Sequence, residues 1–227
     1  MVDRKARDEL ADTVERYLAD ELTAFEFDEA IFKIADSTDD GTVDDAAWWL
    51  WSCYDDVADH KVVATKEQWD WIQRLLLVLR SDGEFIYTRP RRWTVRQPIA
   101  ACGVIAFGVA ASTVGLTWPL LLTCIPLGCL AYLLRLWRDR DNRKRQPSQE
   151  LIAPFSSMAE MLRVHRRVRD FSKRRYPDRL RGRKIRSREE RLESWIESAV
   201  VGTLFSPLAL LGQSFPEDAP DYRVEVS

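Results

Sequence analysis

The chain has 227 residues, is 31% charged and carries a formal net charge of −2. That balance hides two opposed halves: residues 1–84 hold 22 acids and 9 bases (−13), and residues 135–227 hold 14 acids and 21 bases (+7). Of the four cysteines, Cys102, Cys124 and Cys129 fall within one long charge-free run and only Cys53 lies outside it, so no disulfide framework can be built, in keeping with a reducing cytoplasm; two histidines leave most hydrolytic triads and His-based metal sites short of groups.

Residues 1–84 read as an acidic helical bundle. Leu10, Val14, Tyr17, Leu18 and Leu22 recur at helical intervals, and Phe27, Ile31 and Ile34 give a second, shorter apolar face near Asp28 to Ala35. After the turn-rich Ser37 to Gly41, Thr42 is the expected N-cap of a third helix with Ala47, Leu50, Trp51, Tyr54 and Val57 on one stripe. Thr65 and Gln68 form a capping box for a fourth, whose face is Trp69, Ile72, Leu75, Leu76 and Leu79. Trp51 and Trp69 fall on the core stripes. Trp48, Trp49 and Trp71 are left either to stack between the two helices or to form an exposed patch for a partner.

One constellation in this region can carry chemistry. If the third helix continues, Asp55 and Asp59 lie one turn apart, as do Asp56 and His60, and these groups can converge on a divalent metal. The spelling Asp55-Asp56-x-x-Asp59 resembles the aspartate-rich Mg²⁺ motif of isoprenoid synthases. The resemblance implies metal-dependent catalysis; it spans five residues, in a region too short for their helical barrel. The competing reading makes these acids a solvated face, and no other cofactor is implied.

Residues 85–97 form a basic connector in which Phe85-Ile86-Tyr87 is either a brief strand or the lead into the membrane. From Gln97 to Leu134 there are 38 positions without Asp, Glu, Lys, Arg or His. A single helix of that length would reach roughly 57 Å, against a hydrocarbon core of about 30 Å, so the run must turn back. Pro119 places the break at Thr117-Trp118-Pro119, giving a transmembrane helical hairpin over 98–137 with spans at about Pro98–Thr117 and Pro119–Trp137. Arginines flank both outer ends and the turn is uncharged, so both termini are expected to be cytoplasmic. With no apolar leader at the N-terminus, the first span is expected to act as the insertion signal. Trp93 and Trp137 mark the inner interface and Trp118 the outer one. Gly108, Ser112 and Gly115 form a small-residue stripe for the hairpin partner or for another copy.

Residues 138–156 read as a basic linker and 157–215 as a basic amphipathic helical region. Between Arg163 and Arg191 there are 14 bases and 4 acids. Ser157 and Glu160 cap a helix that must stop before Pro177, with Met158, Met161, Leu162, His165, Val168 and Phe171 on one side. Its charged face and continuation, Arg163, Arg166, Arg167, Lys173, Arg174 and Arg175, are expected to bind anionic lipid. Nucleic acid and the acidic bundle itself are the competing partners. Ser187 and Glu190 cap a further helix, and Ser198–Pro216, uncharged over 19 residues, reads as a core or interfacial helix in preference to a third span. Residues 216–227 read as an exposed tail.

The chain contains no Gly-rich phosphate loop, H-E-x-x-H, G-x-S-x-G or C-x-x-C. The expected class is an all-α membrane protein, a two-helix transmembrane hairpin flanked by cytoplasmic helical regions. Its expected role is an anchor or interaction protein with a lipid bilayer, a protein partner or a second copy, and no small-molecule substrate. The alternatives are a metal-dependent enzyme at Asp55, Asp56, Asp59 and His60, or a membrane-perturbing oligomer of the hairpin.

Overall fold

The computed structural model describes residues 2–55, 58–88, 91–115, 117–145, 152–185, 198–218 and 221–226. The chain is mostly helical and divides into two units, one of Met1–Thr88, Ser148–Ile185 and Asp221–Ser227, the other of Arg89–Pro147 and Arg186–Pro220.

The first unit is built on α1 (Arg4–Leu18), α2 (Ala24–Ala35), α3 (Gly41–Trp51) and α4 (Lys66–Leu79). Each opens on a side chain that accepts from the unpaired amides of its first turn: Asp3 for α1, Thr23 for α2, Asp40 for α3 and Thr65 for α4. Glu26 and Gln68 complete reciprocal capping boxes with Thr23 and Thr65. Thr42, the expected third cap, lies inside the helix. The Asp40 carboxylate takes the Thr42 amide at 3.0 Å, and the Thr42 hydroxyl instead accepts from the Phe85 amide at 3.3 Å.

The apolar stripes meet in one core that includes Leu10, Leu18, Phe27, Ile31, Leu50 and Leu75, all buried. Tyr17 stacks on Phe27 with ring centroids 4.3 Å apart. Beneath the N-terminus of α1 lies a buried ion pair that the helical periodicities give no hint of. Arg7 Nε is 2.6 Å from Asp40 Oδ2 and its second nitrogen 3.0 Å from Oδ1, while Nη1 donates to the carbonyls of Ser81 and Gly83. One guanidinium therefore ties α1, the start of α3 and the chain leaving α4.

That departing chain is β1 (Gly83–Thr88), which pairs antiparallel with β4 (Asp221–Val226) in the register Gly83↔Val226, Phe85↔Val224 and Thr88↔Asp221. Phe85-Ile86-Tyr87 is thus a strand, and the expected tail is a correction: residues 221–226 close a ribbon and Val224 is buried. The alternation of Tyr222, Val224 and Val226 is a strand signal.

α7 (Met158–Arg167) opens on Ser157 as expected but stops well short of Pro177. Its inner face is Val164 with Met161, set against Leu77, Val78 and Phe155, and the chain then runs with neither helix nor strand to a 3-10 turn at Asp178–Leu180. Glu160 does not close its capping box on Ser157. Its carboxylate accepts from the Ser156 amide at 2.7 Å and from the Val224 amide, linking α7 to β4.

The second unit holds α5 (Arg96–Val114) and α6 (Trp118–Arg145). Gly115 ends α5 with a φ of 72°, a conformation open to glycine, whereas Trp118 and Pro119, where the sequence places the break, fall in the first turn of α6, in which the missing proline amide costs no helical bond. α6 continues through Pro126 for 28 residues. Among the described residues one helical stretch, Leu120–Asp141, is long and apolar enough to cross a membrane. The two-helix span expected from the sequence is met for α6 alone. A helical segment at 198–204 and α8 (Ser206–Gln213) come next, and α8 packs on both α5 and α6 around Ala100, Ala131, Leu134 and Leu210. A short ribbon of β2 (Arg91–Arg92) with β3 (Glu217–Asp218) pairs Arg91↔Asp218 and Arg92↔Glu217.

Candidate functional site

The aspartate-histidine cluster loses its helical premise. α3 ends at Trp51, so Asp55, Asp59 and His60 stand on a loop, and Asp56 lies outside the described residues. The Asp55 amide donates to His60 Nε2 at 3.1 Å, and His60 Nδ1 lies 2.7 Å from the Lys61 carbonyl oxygen. A ring that accepts at Nε2 and donates at Nδ1 has no lone pair left for a metal. Asp59 Oδ1 accepts from the Phe25 amide at 3.2 Å and the His60 carbonyl from the Ala24 amide at 2.8 Å. The Phe25 amide above all lowers the Asp59 carboxyl below the usual carboxylate range; burial opposes it, and the Thr23 hydroxyl and His60 add smaller pulls downward. The loop therefore satisfies the first turn of α2, where an anion also meets the positive end of the helix dipole. Among the described residues, no group of three or more His, Cys, Asp or Glu could hold a metal ion.

The basic candidates split into two sets. Lys173 and Arg174 lie on the irregular segment after α7, where Lys173 Nζ is 2.8 Å from Asp70 and the Arg174 guanidinium meets Glu15. The Arg174 amide donates to Gln73 Oε1 at 2.9 Å and its carbonyl accepts from Trp69 Nε1 at 3.0 Å. Further along, Tyr176 donates to the Ala64 carbonyl at 3.0 Å, Leu180 enters the bundle core, and Arg183 reaches Asp20 at 2.7 Å and the Val62 carbonyl at 2.9 Å. Backbone bonding to α4 and burial of Phe171 and Leu180 replace the extra helical turns expected before Pro177. The segment is a strap across the acidic bundle. Arg163, Arg166, Arg167 and Arg175 are exposed, and of the three on α7 Arg166 lies on the face opposite Val164.

The tryptophans are rearranged too. Trp69 is buried as expected, whereas Trp51 is 40% exposed and the partly buried Trp49 takes its place, packing on Phe85 at 4.7 Å and Trp71 at 6.3 Å. Trp48, edge-on to Phe32 and Trp51, completes an exposed aromatic face.

In the second unit the apolar side chains face outward. Ile105 on α5 and Leu122, Ile125 and Leu133 on α6 are exposed, as are Leu208 and Leu211 on α8. Trp93, Trp118 and Trp137 are exposed as well. From Trp118 to Trp137 the helix rises roughly 28 Å, close to the thickness of a hydrocarbon core. The small-residue stripe does not serve α6: no described atom lies within 4 Å of a Cβ built on Gly108 or Gly115. The close approaches belong to Gly103, whose Cβ would meet Leu210 at 3.0 Å and Leu130 at 3.2 Å, and to Gly128, whose Cβ would meet the Thr203 backbone at 3.3 Å. Compared with family models, curated proteins and solved structures, the chain matches none.

Proposed function

We propose that this chain is an integral membrane anchor and interaction protein. α5 and α6 form the two passes, the connection between them is exposed outside, and the first unit and both termini lie in the cytoplasm. The exposed apolar length of α6 between Trp118 and Trp137 carries the reading. Large apolar side chains bared around a helix of this length are costly in water and favoured in hydrocarbon. The uncharged α5 runs beside it from Gln97 to Val114, and the arginines on both flanks keep to one side under the charge rule for short loops.

The strap neutralises part of the bundle's acidity, and the exposed Arg163, Arg166 and Arg175 are the residues through which the first unit meets anionic headgroups. The aromatic face of Phe32, Trp48 and Trp51 is its docking surface for a protein partner. In sealed membranes an impermeant thiol reagent labels a Thr117→Cys variant, made in a background lacking the native cysteines, from the outer face only. Labelling from the inner face overturns the two-pass topology.

A further inference from the structure

The stretch Ser198–Pro216 is uncharged over 19 residues, yet its geometry is neither that of a third span nor that of a surface helix. α8 has eight residues and rises only about 12 Å, under half of a hydrocarbon core. Its neighbours on α6 trace its course. Thr203 lies against Gly128, the Ser206 hydroxyl donates to the Cys124 carbonyl at 3.0 Å, and Gln213 Nε2 donates to the Ala131 carbonyl at 3.3 Å. Glu217 then pairs with Arg96, at the start of α5, at 2.8 Å. From Ser206 both arms therefore climb α6 toward the same end, the one carrying Trp137 and Arg96.

We infer that Ser198–Pro216 is a re-entrant insertion that dips into the bilayer hydrocarbon from the cytoplasmic face and returns to it, its apex at Ser206. This rests on the two-pass reading above. Cys124 is thirteen residues from Trp137, which puts the apex roughly 20 Å below the inner interface. Non-helical backbone survives at that depth only when enclosed by protein, and Ser206 is fully buried. The break itself is satisfied: the Phe205 amide donates to the Val201 carbonyl, the Phe205 carbonyl accepts from Ala209, and Pro207 needs no donor partner in the first turn of α8. The side facing away from α5 and α6 bears Val200, Val201, Leu204, Phe205, Leu208 and Leu211, all exposed, as hydrocarbon contact requires. On this path Glu217 and Asp218 stay inside, opposite Arg92 and Arg91. A third span would export them.

Single cysteines in a background lacking Cys53, Cys102, Cys124 and Cys129 test the course. Ser172→Cys and Glu225→Cys, on either side of the segment, are labelled by an impermeant maleimide from the inner face. Leu208→Cys and Val201→Cys lose labelling from both faces and regain it in detergent, which shows that each thiol is present and reactive. Labelling of Glu225→Cys from outside makes the segment a third span and overturns the inference. Labelling of Leu208→Cys and Val201→Cys from inside makes it a surface helix and overturns it equally. Thr117→Cys, read in parallel, reports on the two-pass topology by itself, so the two readings fail separately. Protease digestion of a tag added after Ser227 from the inner face alone supports the inference without any substitution in the segment, and digestion from the outer face overturns it.

Discussion

The Arg7–Asp40 pair is the residue-scale feature on which the first unit depends most. Burial pushes the Asp40 carboxyl up, but the Arg7 guanidinium and the amides of Asp3 and Thr42 pull it further down, so it ends below the ordinary value of 3.8. A carboxyl that binds its proton more weakly folded than unfolded contributes fully above its unfolded value. That contribution is lost as pH falls through the folded one, so acid weakens this corner and alkali does not. Arg7→Ala leaves a buried carboxylate unpaired and lowers stability by about 3–5 kcal/mol in urea unfolding. A loss under about 1 kcal/mol, the range of exposed pairs, shows the site to be wet. Cys53 provides a second test. Burial pushes its thiol up to about 11, with a smaller opposing pull from Ser52, so little thiolate exists at neutral pH. Peptide-resolved alkylation at neutral pH reaches it fast in urea and slowly in the native protein; native labelling as fast as in urea contradicts the raised thiol.

At the scale of elements, features set by neighbours in the chain are legible in the sequence and features set across long distances are not. Leu10, Val14, Leu18 and Leu22 announce α1 by spacing alone, and the Thr65–Gln68 box announces α4. The break expected at Thr117-Trp118-Pro119 is legible only to within a few residues: α5 ends before it at Val114, and Pro119 sits in the first turn of α6. The alternation at Tyr222, Val224 and Val226 hints at β4, but its partner is not legible, because β1 supplies the other edge from more than a hundred positions earlier. The strap escapes for the same reason. Arg163 to Phe171 has helical spacing throughout, but Phe171 and Leu180 gain more from the bundle core than further helical turns return. The Asp55–His60 cluster misleads because α3 stops at Trp51, where local spacing gives no stop signal. Leu180→Ala opens a cavity beneath the strap and costs about 2–5 kcal/mol, with faster amide exchange over 171–183. Exchange that stays slow makes the surface ion pairs the main fastening. Glu160→Gln weakens the acceptor for the Ser156 and Val224 amides and speeds exchange in both α7 and β4; a change confined to α7 contradicts the link.

At the scale of the molecule, charge and apolar surface are segregated. Acids and bases meet each other in the first unit through Asp20, Glu15 and Asp70, while the second turns Ile105, Leu122, Ile125 and Leu133 outward. The 38-residue charge-free run makes this division readable from residue types alone, and the membrane reading proposed above gives it a cause, since an ionised group at the bilayer centre costs about 3 kcal/mol. The location of Ser198–Pro216 is not readable in that way: its Ser, Thr and Gln content leaves it intermediate in hydropathy, and only its packing on α6 gives it a course. Membranes carrying the full chain, washed with alkaline carbonate and sedimented, test the central claim most directly. The anchored protein stays in the pellet and leaves it only with detergent; its appearance in the carbonate supernatant contradicts the account.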